Sequence, residues 1–193
     1  EDAQVAGDDP SVVSLNRVFD ALEQLYQSLN LWRELRDLWV ERAERARAQS
    51  DQASEIDYSV RAAQVAQSYL EDSSDAIELY QRVIELKSDH QGALDALELV
   101  YRESEAWDEV IETLSLKLEL TEEPTDHIAL YLDIAQLQAE SIGDLETAAE
   151  TYGQVLTLDE AHVGALESLM LIFERLERWS ESVETADLLA THL

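Results

Sequence analysis

The sequence predicts an all-α protein built as an array of stacked antiparallel helical hairpins, and three observations predict it. The first is a repeat: "YQRVIELKSDHQGALDAL" from Tyr80 to Leu97 returns as "YGQVLTLDEAHVGALESL" from Tyr152 to Leu169, 72 residues later, with Tyr, Val, Leu, His, Gly, Ala and two more Leu in register. The second is composition: 193 residues hold only five Gly and two Pro, with 46% hydrophobic residues. That is too few turn-formers for an all-β fold and too much apolar content for a disordered chain. The third is period. Phe19, Leu22 and Tyr26, then Leu94, Leu97 and Tyr101, then Leu166, Leu169 and Phe173 are spaced by three and four, which places each trio on one helical face.

Aligned on these trios, Trp32, Trp107 and Trp179 start three equivalent helices, "WRELRDLW", "WDEVIETL" and "WSESVETA". Their matched placement predicts that all three tryptophans pack between hairpins. A 72-residue period is too long for one hairpin, so each period holds two of about 36 residues. Helices are expected near 11–29, 31–49, 54–71, 74–87, 90–104, 106–121, 125–141, 144–158, 161–176 and 178–192, about ten in all. Ser11 follows Pro10, Ser74 and Asp75 precede "AIELY", Pro124 opens a helix, and Asp144 follows Gly143 as a stop followed by a start. Paired, these give hairpins at about 11–49, 54–87, 90–121, 125–158 and 161–193, a single repeat domain over 11–193 behind a flexible tail at 1–10.

Charge narrows the function. Thirteen Lys and Arg against 43 Asp and Glu give −30, a surface that phosphate repels, so neither nucleic acid nor an anionic membrane is an expected partner. Between Lys117 and Arg175 there is no basic residue, whereas the helix after Trp32 carries Arg33, Arg36, Arg42, Arg45 and Arg47 among its acids. No apolar run approaches the length that crosses a bilayer, and "EDAQVAGDDPS" has neither the basic start nor the apolar centre of a signal peptide. A soluble protein is expected, the cytoplasm favoured. Because the chain begins at Glu1 without Met, it reads as a fragment or processed form whose missing N-terminus could have carried a targeting signal.

"DAIELYQRVIELKSDH" and "ETAAETYGQVLTLDEAH" resemble the second helix of a tetratricopeptide repeat, with Ala76, Tyr80 and Val83, and Ala148, Tyr152 and Val155, at that family's small, aromatic and small positions. In the first helices Ala66 and Ala135 match the family's small residue, but Glu23, Glu98 and Met170 stand there in the alternate hairpins. Ser88 and Glu160 replace the proline after the second helix. The resemblance implies a right-handed superhelix of about five hairpins that serves as a non-catalytic scaffold, its concave surface lined by the first helices. The inward positions carried over are Asp20, Gln24, Gln64, Gln67, Asp95, Leu99, Asp133, Gln136, Glu167 and Leu171. They imply an acidic groove with apolar patches, suited to a basic or amphipathic peptide or protein segment.

Chemistry is absent from the motifs. With no cysteine, no HExxH, no Gly-rich phosphate loop and no GxSxG, the sequence presents no catalytic residue, no cofactor and no metal ligands. The recurring His90 and His162 occupy equivalent turns and read as caps. A second reading makes the chain a structural spacer or self-association segment of a longer solenoid, with Arg33, Arg36, Trp39, Arg42 and Arg45 meeting acidic helices of another copy. Trp39 has no Trp counterpart in the other repeats, where Leu114 and Ala186 stand, so it reads either as core or as the anchor of that interface. The charge also has a consequence for stability: −30 on one chain is self-repulsive, so the melting temperature should rise between dilute buffer and about 0.15 M salt, where repulsion is screened beyond about 8 Å. A melting temperature that is flat or falling contradicts this.

Overall fold

The structure is a computed structural model that describes residues 10–192; the expected tail at 1–10 lies outside the described residues but for Pro10. Ten α-helices follow one another and no strand occurs among the described residues: α1 Pro10–Ser28, α2 Trp32–Ala48, α3 Gln52–Val65, α4 Ser73–Leu86, α5 Gln91–Glu103, α6 Trp107–Leu120, α7 Pro124–Gln136, α8 Leu145–Leu158, α9 Val163–Arg175 and α10 Trp179–His192. The expected ten helices and their order are found. Two ends differ: α3 and α7 run on as π-helical segments, Ala66–Leu70 and Leu137–Ile142. Each π segment closes on a left-handed residue, Glu71 or Gly143.

The helices begin where their caps lie. Asp51, Asp72 and Asp144 accept from the backbone N–H three residues on, at 3.1, 3.2 and 3.1 Å. His90 and His162 do the same through Nδ1, from Ala93 and Ala165, both at 3.1 Å. The recurring histidines are therefore caps, as their turns suggested, each satisfying one orphan donor at a helix start, where such a bond contributes about 1 kcal/mol. Pro124 occupies the first turn of α7, where its missing N–H costs nothing.

Most of the left-handed helix ends are made without glycine. Asn30, Ser50, Glu71, Glu105 and Glu177 all have φ between 53 and 58°, the left-handed region that a Cβ disfavours. Four of these turns close the same way. Leu31, Asp51, Ala106 and Arg178 donate back to Tyr26, Ala46, Tyr101 and Phe173 at 2.8–2.9 Å, the Schellman arrangement that satisfies a terminal carbonyl. Asn30, Glu105 and Glu177 stand at equivalent points before the three repeated tryptophans, so backbone conformation repeats with the sequence.

The chain divides into two compact units, Glu1–Leu97 and Glu98–Leu193. In the first, α1 packs on α2, α2 on α3 and α3 on α4; Phe19, Leu35, Leu38, Trp39, Ala62 and Val65 form its core, with Leu22, Tyr26, Trp32 and Tyr58 against it. In the second, α6 packs on α7, α7 on α8, α8 on α9 and α9 on α10. Its core joins Ala135 and Ala139, Ala148, Ala149, Tyr152 and Val155 of α8, and Ala165, Leu169 and Ile172 of α9. Ala76, Tyr80 and Val83, like Ala148, Tyr152 and Val155, are all buried.

The three repeated tryptophans do open α2, α6 and α10. Their expected common burial is corrected: Trp32 and Trp107 are partly buried, but Trp179 is 62% exposed, because among the described residues no further helix lies on α10 beyond α9. Equal position in the repeat fixes direction, whereas burial needs a neighbour.

The turn before Trp179 yields a prediction. Glu177→Gly removes a strained left-handed Cβ and one surplus negative charge, and should stabilise the fold by about 0.5–1 kcal/mol. The melting temperature should rise by about 1–4 °C; a fall on thermal denaturation would show that Glu177 holds a compensating contact.

Candidate functional site

In the first unit α1 and α3 both lie on α2 and leave a cleft of about 710 Å³ between them. Trp32, Leu35 and Trp39 of α2 form its floor, Glu23 and Gln27 of α1 one rim, and Arg61, Gln64, Ser68 and Tyr69 the other. Trp32 and Tyr69 stack with ring centroids 3.8 Å apart, and half of the Tyr69 surface stays open to solvent. Arg61 spans the cleft, its guanidinium 4.9 Å from the Trp39 ring and 3.9 Å from Glu23. The result is a concave aromatic surface rimmed by amides and one compensated ion pair, a surface that can hold an apolar side chain while bonding to peptide groups.

Behind the floor, Arg42 is enclosed by aromatic rings. Its guanidinium carbon lies 4.4 Å from the Tyr58 centroid, 5.1 Å from Trp39 and 5.4 Å from Phe19. It donates to the Tyr58 hydroxyl at 3.0 Å and to Asp20 at 3.3 Å. Trp39 itself is 3% exposed and stacks on Tyr58 at 5.7 Å. Of the sequence-derived arginine set, Arg45 pairs with Glu41 at 2.6 Å and lies over Phe19, Arg36 bonds Asp37 at 2.9 Å, and Arg33 is exposed. Arg36 also approaches Asp75 at 2.8 Å without the alignment of a hydrogen bond. Burial pushes the Asp75 carboxyl above its ordinary range, against the pull of Arg36 and with the repulsion of Asp72, Glu78 and Asp37.

The positions carried over for a concave surface fall as follows. Asp20, Gln24 and Gln64 are exposed in the first unit and Gln67 is half-buried, accepting from the Tyr80 hydroxyl at 3.2 Å. Asp95 is exposed in the same unit. In the second unit Leu99, Gln136, Glu167 and Leu171 are exposed, while Asp133 is held by Arg102. Only Gln64 of this set lines the aromatic cleft. Sequence reasoning named Glu23 only as a departure from the repeat pattern and did not single out Gln27, Arg61, Ser68 and Tyr69, although Arg61, Gln64, Val65 and Ser68 carry the 3-and-4 spacing of one helical face.

The Asp133 contact belongs to a chain of charges in the second unit. Lys117 of α6 donates to Glu98 of α5 at 2.6 Å, Arg102 donates to the same carboxylate at 2.9 Å, and Arg102 reaches on to Asp133 of α7. Burial raises the Glu98 carboxyl, but the hydrogen bonds from Lys117 and Arg102 outweigh it and hold Glu98 below the usual carboxylate value. Among the described residues no group of three or more His, Cys, Asp or Glu is placed to hold a metal ion, and no helix is long and apolar enough to cross a membrane.

Comparison with known proteins agrees with this architecture. Residues 93–128 match the tetratricopeptide repeat family model. No curated protein matches the chain. Among solved structures, MamA from AMB-1 aligns over 92% of each chain at 13% identity with a TM-score of 0.51. MamA 41-end from Desulfovibrio magneticus RS-1 aligns over 91% of this chain and 92% of its own, at 13% identity and a TM-score of 0.45. YrrB, described as a TPR protein with an unusual peptide-binding site, covers 90% of this chain and 84% of its own, at 15% identity and 0.48. The chain is tetratricopeptide-like in its helical repeats, and that repeat type is one of protein interaction scaffolds.

The Glu98 network predicts a pH dependence. A carboxylate held below its unfolded value contributes stability that is complete above about pH 5 and is lost as pH falls through the lowered folded value. Glu98→Gln should therefore lower the urea midpoint at neutral pH, and the gap from wild type should close as pH falls from about 5 towards 3. A gap that stays constant with pH would separate the destabilisation from the charge.

Proposed function

We propose that the chain is a non-catalytic scaffold that holds a basic or amphipathic segment of a partner protein on the acidic face of its first helices. The observation that carries this reading is the cleft between α1 and α3, in which Trp32 and Tyr69 offer an apolar seat beside the exposed amides of Gln27 and Gln64. An apolar side chain of the partner sits on the aromatic floor. Its Lys or Arg residues meet Glu23 at the rim, and a surface of net charge −30 steers their approach.

Arginine and lysine of the chain itself enter this reading as competitors. Arg61 already neutralises part of Glu23, and Arg102 holds Asp133, so a bound segment gains most from the amide of Gln64 and the ring of Tyr69. Aromatic anchors dominate interface energetics and rim charges act mainly on association rate. The spacer reading has no comparable feature behind it, since Trp39 and Arg42 are engaged within the first unit.

The test is a titration of the chain with Lys/Arg-rich amphipathic peptides containing one aromatic or leucine anchor, followed by calorimetry. Tyr69→Ala should weaken binding by about tenfold, at a cost of about 1.4 kcal/mol, and rising salt should slow association. Binding that ignores Tyr69 and Gln64, or a preference for acidic peptides, would overturn the reading.

A further inference from the structure

Glu23, on the rim of the cleft, is a carboxylate with a loosely held counter-charge. Its side chain is 22% exposed, and Arg61 Nη1 stands 3.9 Å away, beyond hydrogen-bond reach. Gln27 donates to it at 3.3 Å. The Arg61 guanidinium is bonded elsewhere, through Nε to Asp57 at 2.9 Å, one turn back on α3, and its carbon lies 4.9 Å from the Trp39 ring centroid. Arg61 thus rests over an aromatic face near a carboxylate without closing the ion pair, and Asp57 gives it a second place to stay.

The second unit shows what a carboxylate at this point of the repeat takes. Aligned through Trp32 and Trp107, Glu23 corresponds to Glu98, Gln27 to Arg102 and Arg42 to Lys117. Glu98 has nearly the same side-chain exposure, 20%, and accepts from Lys117 at 2.6 Å and from Arg102 at 2.9 Å. In the first unit neither counterpart supplies a cation. Glutamine replaces the arginine, and Arg42 turns to Tyr58 and Asp20. Among the described residues no cation lies within hydrogen-bond distance of Glu23.

We infer that Glu23 and the face of Trp39 form a subsite for an arginine side chain of the partner segment, which Arg61 occupies as an internal stand-in until that segment binds. The inference rests on the scaffold reading above and names the residue type that the cleft selects. An incoming guanidinium stacks on the indole and donates two parallel hydrogen bonds to the Glu23 carboxylate, while Arg61 withdraws to Asp57. Arg61 is 46% exposed, and an exposed pair of this kind costs little to break. Lysine fits less well, since an ammonium is a hydrated point charge that neither forks onto a carboxylate nor stacks flat. Arg61 therefore weakens binding rather than contributing to it.

The test uses the intact chain and blocked peptides that share one leucine anchor and differ at one position, arginine, lysine or glutamine. Binding is followed by calorimetry and by backbone amide shifts of the labelled chain. The arginine peptide should shift residues 23–27 and 61–69 and bind about tenfold more tightly than the glutamine peptide, with lysine between. Arg61→Ala should raise its affinity by about three- to tenfold. Glu23→Gln should lower it by about tenfold, and Gln27→Arg, which restores the cation found at Arg102, should lower it as well. Circular dichroism tracks the fold of each variant, and the peptide comparison on the unaltered chain decides the matter if one of them unfolds. An unchanged or lowered affinity on Arg61→Ala, or arginine and glutamine peptides bound alike in the cleft, overturns the inference while leaving the scaffold reading in place. Peptides that shift no cleft residue overturn both.

Discussion

The structure depends on how closely its helices approach one another, and alanine sets that distance. Ala62 and Ala63 on α3, Ala76 on α4, Ala135 on α7, Ala148 on α8 and Ala165 on α9 have no exposed surface at all. Where a side chain ends at Cβ, neighbouring helix axes pack at the short end of the usual 8–10 Å. Longer residues then reach across, and Tyr80 donates beyond the contact to Gln67 at 3.2 Å. A methylene added at one of these alanines pushes two helices apart, and the turns between them have little slack to absorb it.

Cations in this chain are scarce and serve inside the units. Arg42 lies among three rings, Arg82 bonds the buried Glu55 at 2.9 and 3.1 Å, and Lys117 and Arg102 hold Glu98. These guanidinium groups act as flat, hydrogen-bonding packing elements as much as charges. Many of the other carboxylates are exposed, among them Glu34, Glu44 and Glu167.

Much of this was legible in the sequence, for reasons that can be assigned. Helix positions and starts were readable because capping is local: His90 and His162 bond the amide three residues ahead, and Asp144 follows the Gly143 stop. The endings were less readable. A left-handed residue is normally announced by glycine, whereas Glu71, Glu105 and Glu177 hide it, and the π segments leave no compositional mark. Exposure of Trp179 was misjudged because periodicity states which way a residue points and says nothing of what covers it. Long-range pairs such as Glu98 with Lys117 and Arg102 with Asp133 join residues 19 and 31 apart, a separation that follows no helical period. The cleft was half visible, through Gln64, because its Tyr69 wall stands on a π segment displaced from the regular spacing.

The uneven burial of the tryptophans gives the protein a set of internal light meters. Indole emission shifts to the red in water and is quenched or shifted by a guanidinium or a stacked phenol. Trp39, enclosed with Arg42 and Arg61, and Trp32, stacked on Tyr69, report the first unit from apolar surroundings, whereas Trp179 reports the second from solvent. The blue edge of the emission spectrum thus follows loss of packing around Trp32, Trp39 and Trp107, while Trp179 already emits as an indole in water, and the change can be watched without attaching a dye.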